Sequence, residues 1–136
     1  MTSRDLSPDE LADQLEAVAD RLSDSIGRAV EHTGMVGRGL IRAGASGRPG
    51  PMVRGPEGVN YRSSWKTVPS RIPYGAECTI GTSKPQGRRL EFGFQGPDSL
   101  GRVYNQPPFP HVGPAIPVIE QTLRTQIRHA VQEALG

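Results

Sequence analysis

The sequence predicts an α+β fold, with a long N-terminal helix, a small antiparallel β-sheet with long Gly/Pro-rich loops, and a C-terminal helix. Three observations carry that prediction. Apolar residues recur at three- and four-residue steps towards each end of the chain, and short runs in the middle alternate with a period of two. Glycine and proline, 17 and 13 of the 136 residues, gather between these runs at about twice their usual share. The length suits a single domain. It divides into a helix at 7–33, a flexible loop at 34–58, an antiparallel sheet at 59–94, an extended arm at 95–113 and a helix at 114–135.

The first helix carries its own start signals. Ser7 is placed to cap it, Pro8 takes the first helical position, and Glu10 completes a Ser-x-x-Glu capping box. Leu6 and Leu11 match a hydrophobic staple across that cap. Leu11, Leu15, Val18, Leu22, Ile26 and Val30 then form an apolar stripe suited to one-sided packing on a sheet, and Gly34 reads as the stop. Residues 34–58 hold eight glycines and three prolines, with Arg38, Arg42, Arg48 and Arg54 spaced through them. A structureless run of that length is commonly functional or disordered, and it is expected to order in an assembly.

Val59, Tyr61, Ser63, Trp65 and Thr67 alternate with polar residues as a strand that Pro69 closes. Ala76, Cys78 and Ile80 alternate with Glu77 and Thr79 as a second strand, giving an antiparallel hairpin turned near Pro73 to Gly75. Leu90, Phe92 and Phe94 fit either a third strand or a helical turn entered at Pro85 and ended at Gly93; a turn feeding a strand is preferred. Gly96-Pro97-Asp98-Ser99 reads as a turn, and Gln106 to Pro110 as extended, polyproline-like backbone. The last helix opens near Pro114 or Pro117 on a stripe of Ile116, Ile119, Leu123, Ile127, Ala130, Val131 and Ala134.

Chemistry is sparse. His32, His111 and His129 fall in different elements without metal-ligand spacing, and the lone Cys78 cannot build a zinc site with them. Ser63, Ser64 and Ser99 have no nucleophile-elbow context, and no glycine run matches a phosphate loop. An enzyme is not expected, nor a cofactor, a signal peptide or a membrane span. Charge is asymmetric: residues 1–33 hold eight acids against three arginines, and residues 34–112 hold eleven bases against four acids. That basic middle, with its aromatics, leaves a soluble nucleic-acid-binding regulator open as an alternative.

Several runs resemble the neck, or head–tail joining, proteins of long-tailed phages, also called tail-completion or head-to-tail connector proteins, in their actinobacteriophage branch. The matching runs are Val59 to Trp65 on a Gly-Asn-Tyr-x-x-Ser pattern, Gly81 to Phe94 with its Arg-Arg-Leu-Glu-Phe-Gly-Phe core, Asp98 to Pro108, and Pro110 to Ala115. Together they cover roughly residues 58–116. Val59 departs from the pattern, standing where the family has glycine before asparagine. The resemblance implies a structural virion protein at the head–tail junction, assembled in the host cytoplasm. It implies a homo-oligomeric ring, six copies favoured and twelve possible, that joins the portal or head-closure connector to the tail tube or tail terminator protein. Genomic DNA would pass through with passive contact. A tail-terminator ring is the alternative within the same class.

Such rings are built by heterologous contacts between two different surfaces. An acidic helix and a basic middle suit that arrangement. Arg88, Arg89 and Glu91 are expected at the contact, with Phe92, Phe94, Tyr104, Phe109 and His111 beside them, since aromatic and Arg residues commonly dominate interfaces. Arg38, Arg42, Arg48 and Arg54 are expected on a flexible loop reaching along the axis.

Overall fold

The computed structural model describes residues 5–45, 60–73, 75–97 and 99–136, with Tyr104 and Gln106 described through their backbone. The fold is α+β. Helix α1 (Pro8–Gly44) leads into a helical turn at 60–63 and a hairpin of β1 (Lys66–Ile72) and β2 (Gly75–Gly81). A two-turn helix α2 (Gln86–Phe92), a second hairpin of β3 (Phe94–Pro97) and β4 (Val103–Gln106), a 3-10 turn (Gly113–Ala115) and helix α3 (Ile116–Leu135) follow.

The start of α1 is as expected, with the Ser7 side chain accepting the Glu10 N–H at 3.1 Å. Its end is not. The helix runs 37 residues to Gly44, about 55 Å at 1.5 Å per residue, so Gly34 is not a stop. Helix-interior glycines each cost about 1 kcal/mol relative to alanine, and here the packing requires two of them. A Cβ on Gly34 would lie 2.3 Å from Cys78 Sγ, and one on Gly37 would lie 2.7 Å from Ile80 Cδ1 and 2.9 Å from Ile119 Cδ1. The glycines let β2 and α3 reach the helix backbone.

The buried face of α1 is a row of mainly small residues at steps of four: Ser25, Ala29, Thr33, Gly37, Ile41 and Ala45. Thr33 donates its hydroxyl back to the Ala29 carbonyl at 2.8 Å. Ala130 and Ala134 supply the matching small surface of α3. The helices run antiparallel, since Gly37 faces Ile119 and Arg28 lies 3.8 Å from Glu133. Of the leucine stripe, Val18, Leu22, Ile26 and Val30 are half-buried. Leu11 and Leu15 are 47% and 60% exposed, because α1 begins well beyond the last turn of α3.

β1 and β2 pair antiparallel from Lys66 with Gly81 to Ile72 with Gly75, as expected for a hairpin. β2 alternates as the sequence implies, with Ala76, Cys78 and Ile80 half-buried and Glu77 and Thr79 exposed. The strand expected to open at Val59 is corrected over 60–63, which form a helical turn, and β1 starts only at Lys66; Val59 lies outside the described residues. Tyr61 and Trp65 are both buried, and a spacing of four serves one side of a helical turn as well as one face of a strand. Pro69 does not close β1; it sits within it opposite Cys78. The expected single sheet is two separate hairpins, and β3–β4 occupies the first half of the expected arm. At Gly93 the backbone turns from α2 into β3 with φ 80°, which favours glycine. The preferred reading of this stretch, a turn feeding a strand, is the observed one.

The core gathers Ile41, Ala45, Tyr61, Trp65, Leu90 and Ala115, with Leu40, Ile80, Phe109, Val112 and Ile119 packed around them. Arg42 closes one side by donating to the Ser63 and Trp65 carbonyls at 3.1 and 3.0 Å. Arg38 and Arg42 thus belong to α1, which corrects their placement on a loop. Arg48 and Arg54 lie outside the described residues.

Candidate interaction site

Helix α2 sorts the Arg-Arg-Leu-Glu-Phe run into two sets. Leu90 is fully buried in the core, and its carbonyl accepts the Phe109 N–H. Arg88, Arg89 and Phe92 face outward, Phe92 being 74% exposed. The Arg89 guanidinium lies 3.9 Å over the Phe94 ring, a cation–π contact that also shields half-buried Phe94.

Glu91 turns inward to the start of the 3-10 turn that feeds α3. Its Oε2 accepts the His111 and Val112 N–H groups at 2.8 and 3.0 Å, and its Oε1 accepts that of Gly113 at 2.7 Å. Helix starts leave such N–H groups without intrahelical partners, and Val112-Gly113-Pro114 offers no side-chain cap of its own. Burial alone would raise the Glu91 carboxyl; the three backbone N–H bonds and nearby His111 outweigh it and hold the carboxyl below its ordinary value.

His111 is 2% exposed. Its Nδ1 lies 2.9 Å from the Phe109 carbonyl and 3.3 Å from Glu91 Oε2, two acceptors that place the ring proton there. Nε2 is then free to accept the Tyr61 hydroxyl at 2.6 Å. Tyr61 and Trp65 meet the imidazole edge-on at centroid distances of 5.6 and 6.0 Å. Burial pushes the Tyr61 hydroxyl up to about 12, with Trp65 opposing and Glu91 adding to the rise.

This Glu91–His111–Tyr61 chain joins three otherwise separate segments: α2, the start of α3 and the turn at 60–63. Glu91 and His111 are therefore committed inside their own chain, which corrects their assignment to a partner contact, while Phe109 is half-buried against the same core. Tyr104's side chain lies outside the described residues. Among the expected contact residues, Arg88 and Phe92 stay on the surface, and Arg89 with Phe94 forms their edge. Cys78 is half-buried against Gly34, and burial followed by nearby Glu31 pushes its thiol up.

Raising the Tyr61 pKa favours its neutral form in the fold. The stability from this is complete below pH 10 and is lost as pH rises through about 12. Tyr61→Phe is expected to cost about 1–2 kcal/mol at neutral pH by leaving the buried imidazole acceptor unpaired. The variant should also lose the steep decline between pH 10 and 12. Urea melts across pH 7–12 check both; an unchanged alkaline slope in the variant would reassign the decline to another group.

Beside Arg88 and Phe92 a groove of about 580 Å³ opens between the end of β2, α2 and the start of α3. Trp65 and Ile80 line it, with Lys84, Arg88, Phe92 and Ile116 around them. Phe92 and Ile116 expose apolar surface there. Among the described residues no group of three or more His, Cys, Asp or Glu is placed to hold a metal ion, and no helix is long and apolar enough to cross a membrane. Comparison with protein-family models, curated proteins and solved structures finds no match to this chain.

Proposed function

We propose that the chain is a structural subunit of the head–tail neck of a long-tailed phage. It forms a ring between the portal connector and the tail tube through which genomic DNA passes. The observation that carries this reading is uncovered apolar surface on two elements of opposite charge. One is the first half of α1, where Leu11 and Leu15 are exposed on a helix whose opposite face is acidic; the other is the α2 face, where Phe92 and Ile116 are exposed beside Lys84 and Arg88. Two unlike, complementary surfaces on one chain are what a heterologous ring contact uses. The small core supports it too, since the largest fully buried side chains are Tyr61, Ile41, Leu90 and His111, and a domain this sparsely filled gains by burying surface against neighbours.

The virion context comes from the resemblance across residues 58–116. Six copies fit a tail's symmetry and twelve a portal's. A tail-terminator ring would use the same surfaces at the other end of the junction. Electron microscopy of the purified chain at increasing concentration tests the reading: closed rings with an axial opening are expected. A monomer that binds DNA with steep salt dependence and never forms rings would overturn it in favour of a nucleic-acid-binding regulator.

A further inference from the structure

We infer that Arg71 is a latch that decides whether the first part of α1 stays helical. The inference stands apart from the ring reading and concerns the single chain. From Pro8 to Asp24 no residue of α1 is buried, so this segment draws little from packing, the main source of helix stability in proteins. Its charges work against it. Asp9, Asp13, Glu16, Asp20 and Asp24 follow one another at steps of three and four, and all are exposed. Like charges so spaced destabilise a helix. Extending an existing helix is far easier than starting a new one, so the segment is helical as a continuation of the packed part.

The join lies between Ser23 and Gly27. Glycine is the weakest helix former after proline, and in an α-helix the Ser23 carbonyl accepts the Gly27 N–H. Arg71 grips this step. Its Nη1 donates to the Ser23 carbonyl at 2.7 Å, a second donor on the acceptor that spans the glycine. The guanidinium lies where a Cβ on Gly27 would stand, and Gly27 is buried against it. Gly27 comes three residues after Asp24 and four before Glu31, so the cation also fills a gap in the acidic row. Arg71 can bear on α1 because its hairpin is fixed. It pairs with Ala76 near the tip, while Cys78 and Ile80 of the same hairpin meet Gly34 and Gly37.

With the guanidinium seated, the helix runs out to Ser7 and holds Leu11 and Leu15 in one exposed apolar row. With it withdrawn, the extension unwinds from Gly27 outward and the row is lost. Ordering and disordering of a segment is a recurrent form of switch. Arg71 is itself exposed, so an anion from outside reaches it without the body opening.

Hydrogen exchange read segment by segment in the full chain tests this, at a dilution where sedimentation shows single copies. Arg71→Ala should speed exchange across residues 8–24 about tenfold, the order expected for losing a hydrogen bond from a charged group, and leave 28–44 unchanged. Adding Gly27→Ala to that variant should recover about fivefold, because alanine propagates a helix better and no guanidinium stands in its way. Unchanged exchange at 8–24 in Arg71→Ala would overturn the latch. So would acceleration spread equally over 28–44 and 66–81, which would make Arg71 a brace for the hairpin alone. If Gly27→Ala recovered nothing, the weak step would not be Gly27 and the latch would fall. A parent chain unprotected at 8–24 would also end the proposal, since the latch would hold nothing.

Discussion

Replacing Glu91 by alanine is expected to destabilise the fold by about 2–3 kcal/mol at neutral pH, from the loss of charge-assisted bonds to a helix start. Three N–H groups, those of His111, Val112 and Gly113, lose their acceptor together. The Glu91 side chain is only 12% exposed, so water replaces it incompletely. Glu91→Gln separates charge from shape, because an amide resembles the protonated acid. The sign follows from the lowered carboxyl. A depressed folded value contributes stability that is present above the ordinary carboxylate pKa, about 4.3, and is lost as pH falls through the folded value. The gap between parent and Glu91→Gln should therefore be widest near pH 7 and shrink on acidification below about pH 4. Urea midpoints at several pH values measure it, and a gap independent of pH would show that the charge contributes nothing.

The second large effect is expected at the glycines of α1. Gly34→Leu places a Cβ where Cys78 Sγ lies 2.3 Å away, and the rest of the side chain has to enter the same seam. Overpacking of this kind costs about 3 kcal/mol, which lowers the melting temperature by roughly 10 °C in a domain of this size. Gly39→Ala is the control. Gly39 is exposed on the same helix with nothing within 4 Å of an added Cβ, so the gain is helix propensity alone, about 0.5–1 kcal/mol of stabilisation. The pair separates two structures of this stretch. If the chain left the helix at Gly34, the leucine would be tolerated and the alanine at 39 would do nothing.

That pair also marks what the sequence could and could not convey. The start of α1 was legible because its capping box and staple are local, all within Leu6 to Leu11. Its end was not, because a glycine that stops a helix and a glycine that admits a neighbour are the same residue. What distinguishes them at Gly34 is Cys78, far along the chain. The leucine stripe conveyed only part of the packing face for a related reason. Val18, Leu22, Ile26 and Val30 are half-buried, and full burial falls on Ser25, Ala29, Thr33 and Gly37, residues too small for apolar periodicity to register. Tyr61 and Trp65 satisfied both strand and helical spacing, and contact with Ile41, Leu90 and His111 decided between them.

In the interaction site, the outward face was readable and the inward one was not. Arg88 and Phe92 carry charge and apolar area that any alternation exposes. Glu91 and His111 were expected beside them, yet both are spent inside the chain. One local signal did exist. The start of the last helix at Val112 to Pro114 has no Ser, Thr, Asp or Asn to cap it, so a cap had to come from elsewhere, and nothing local names the residue twenty positions upstream that supplies it.

One continuous helix, α1, belongs to both the packed body and the free segment, and between them it has no proline and no break. The direction in which the free segment leaves the body is then not a property of that segment. It is set at Gly34 and Gly37, by how deeply β2 and α3 seat against the backbone there. A change of packing at those two glycines therefore swings Leu11 and Leu15 through space without touching a residue of their own segment.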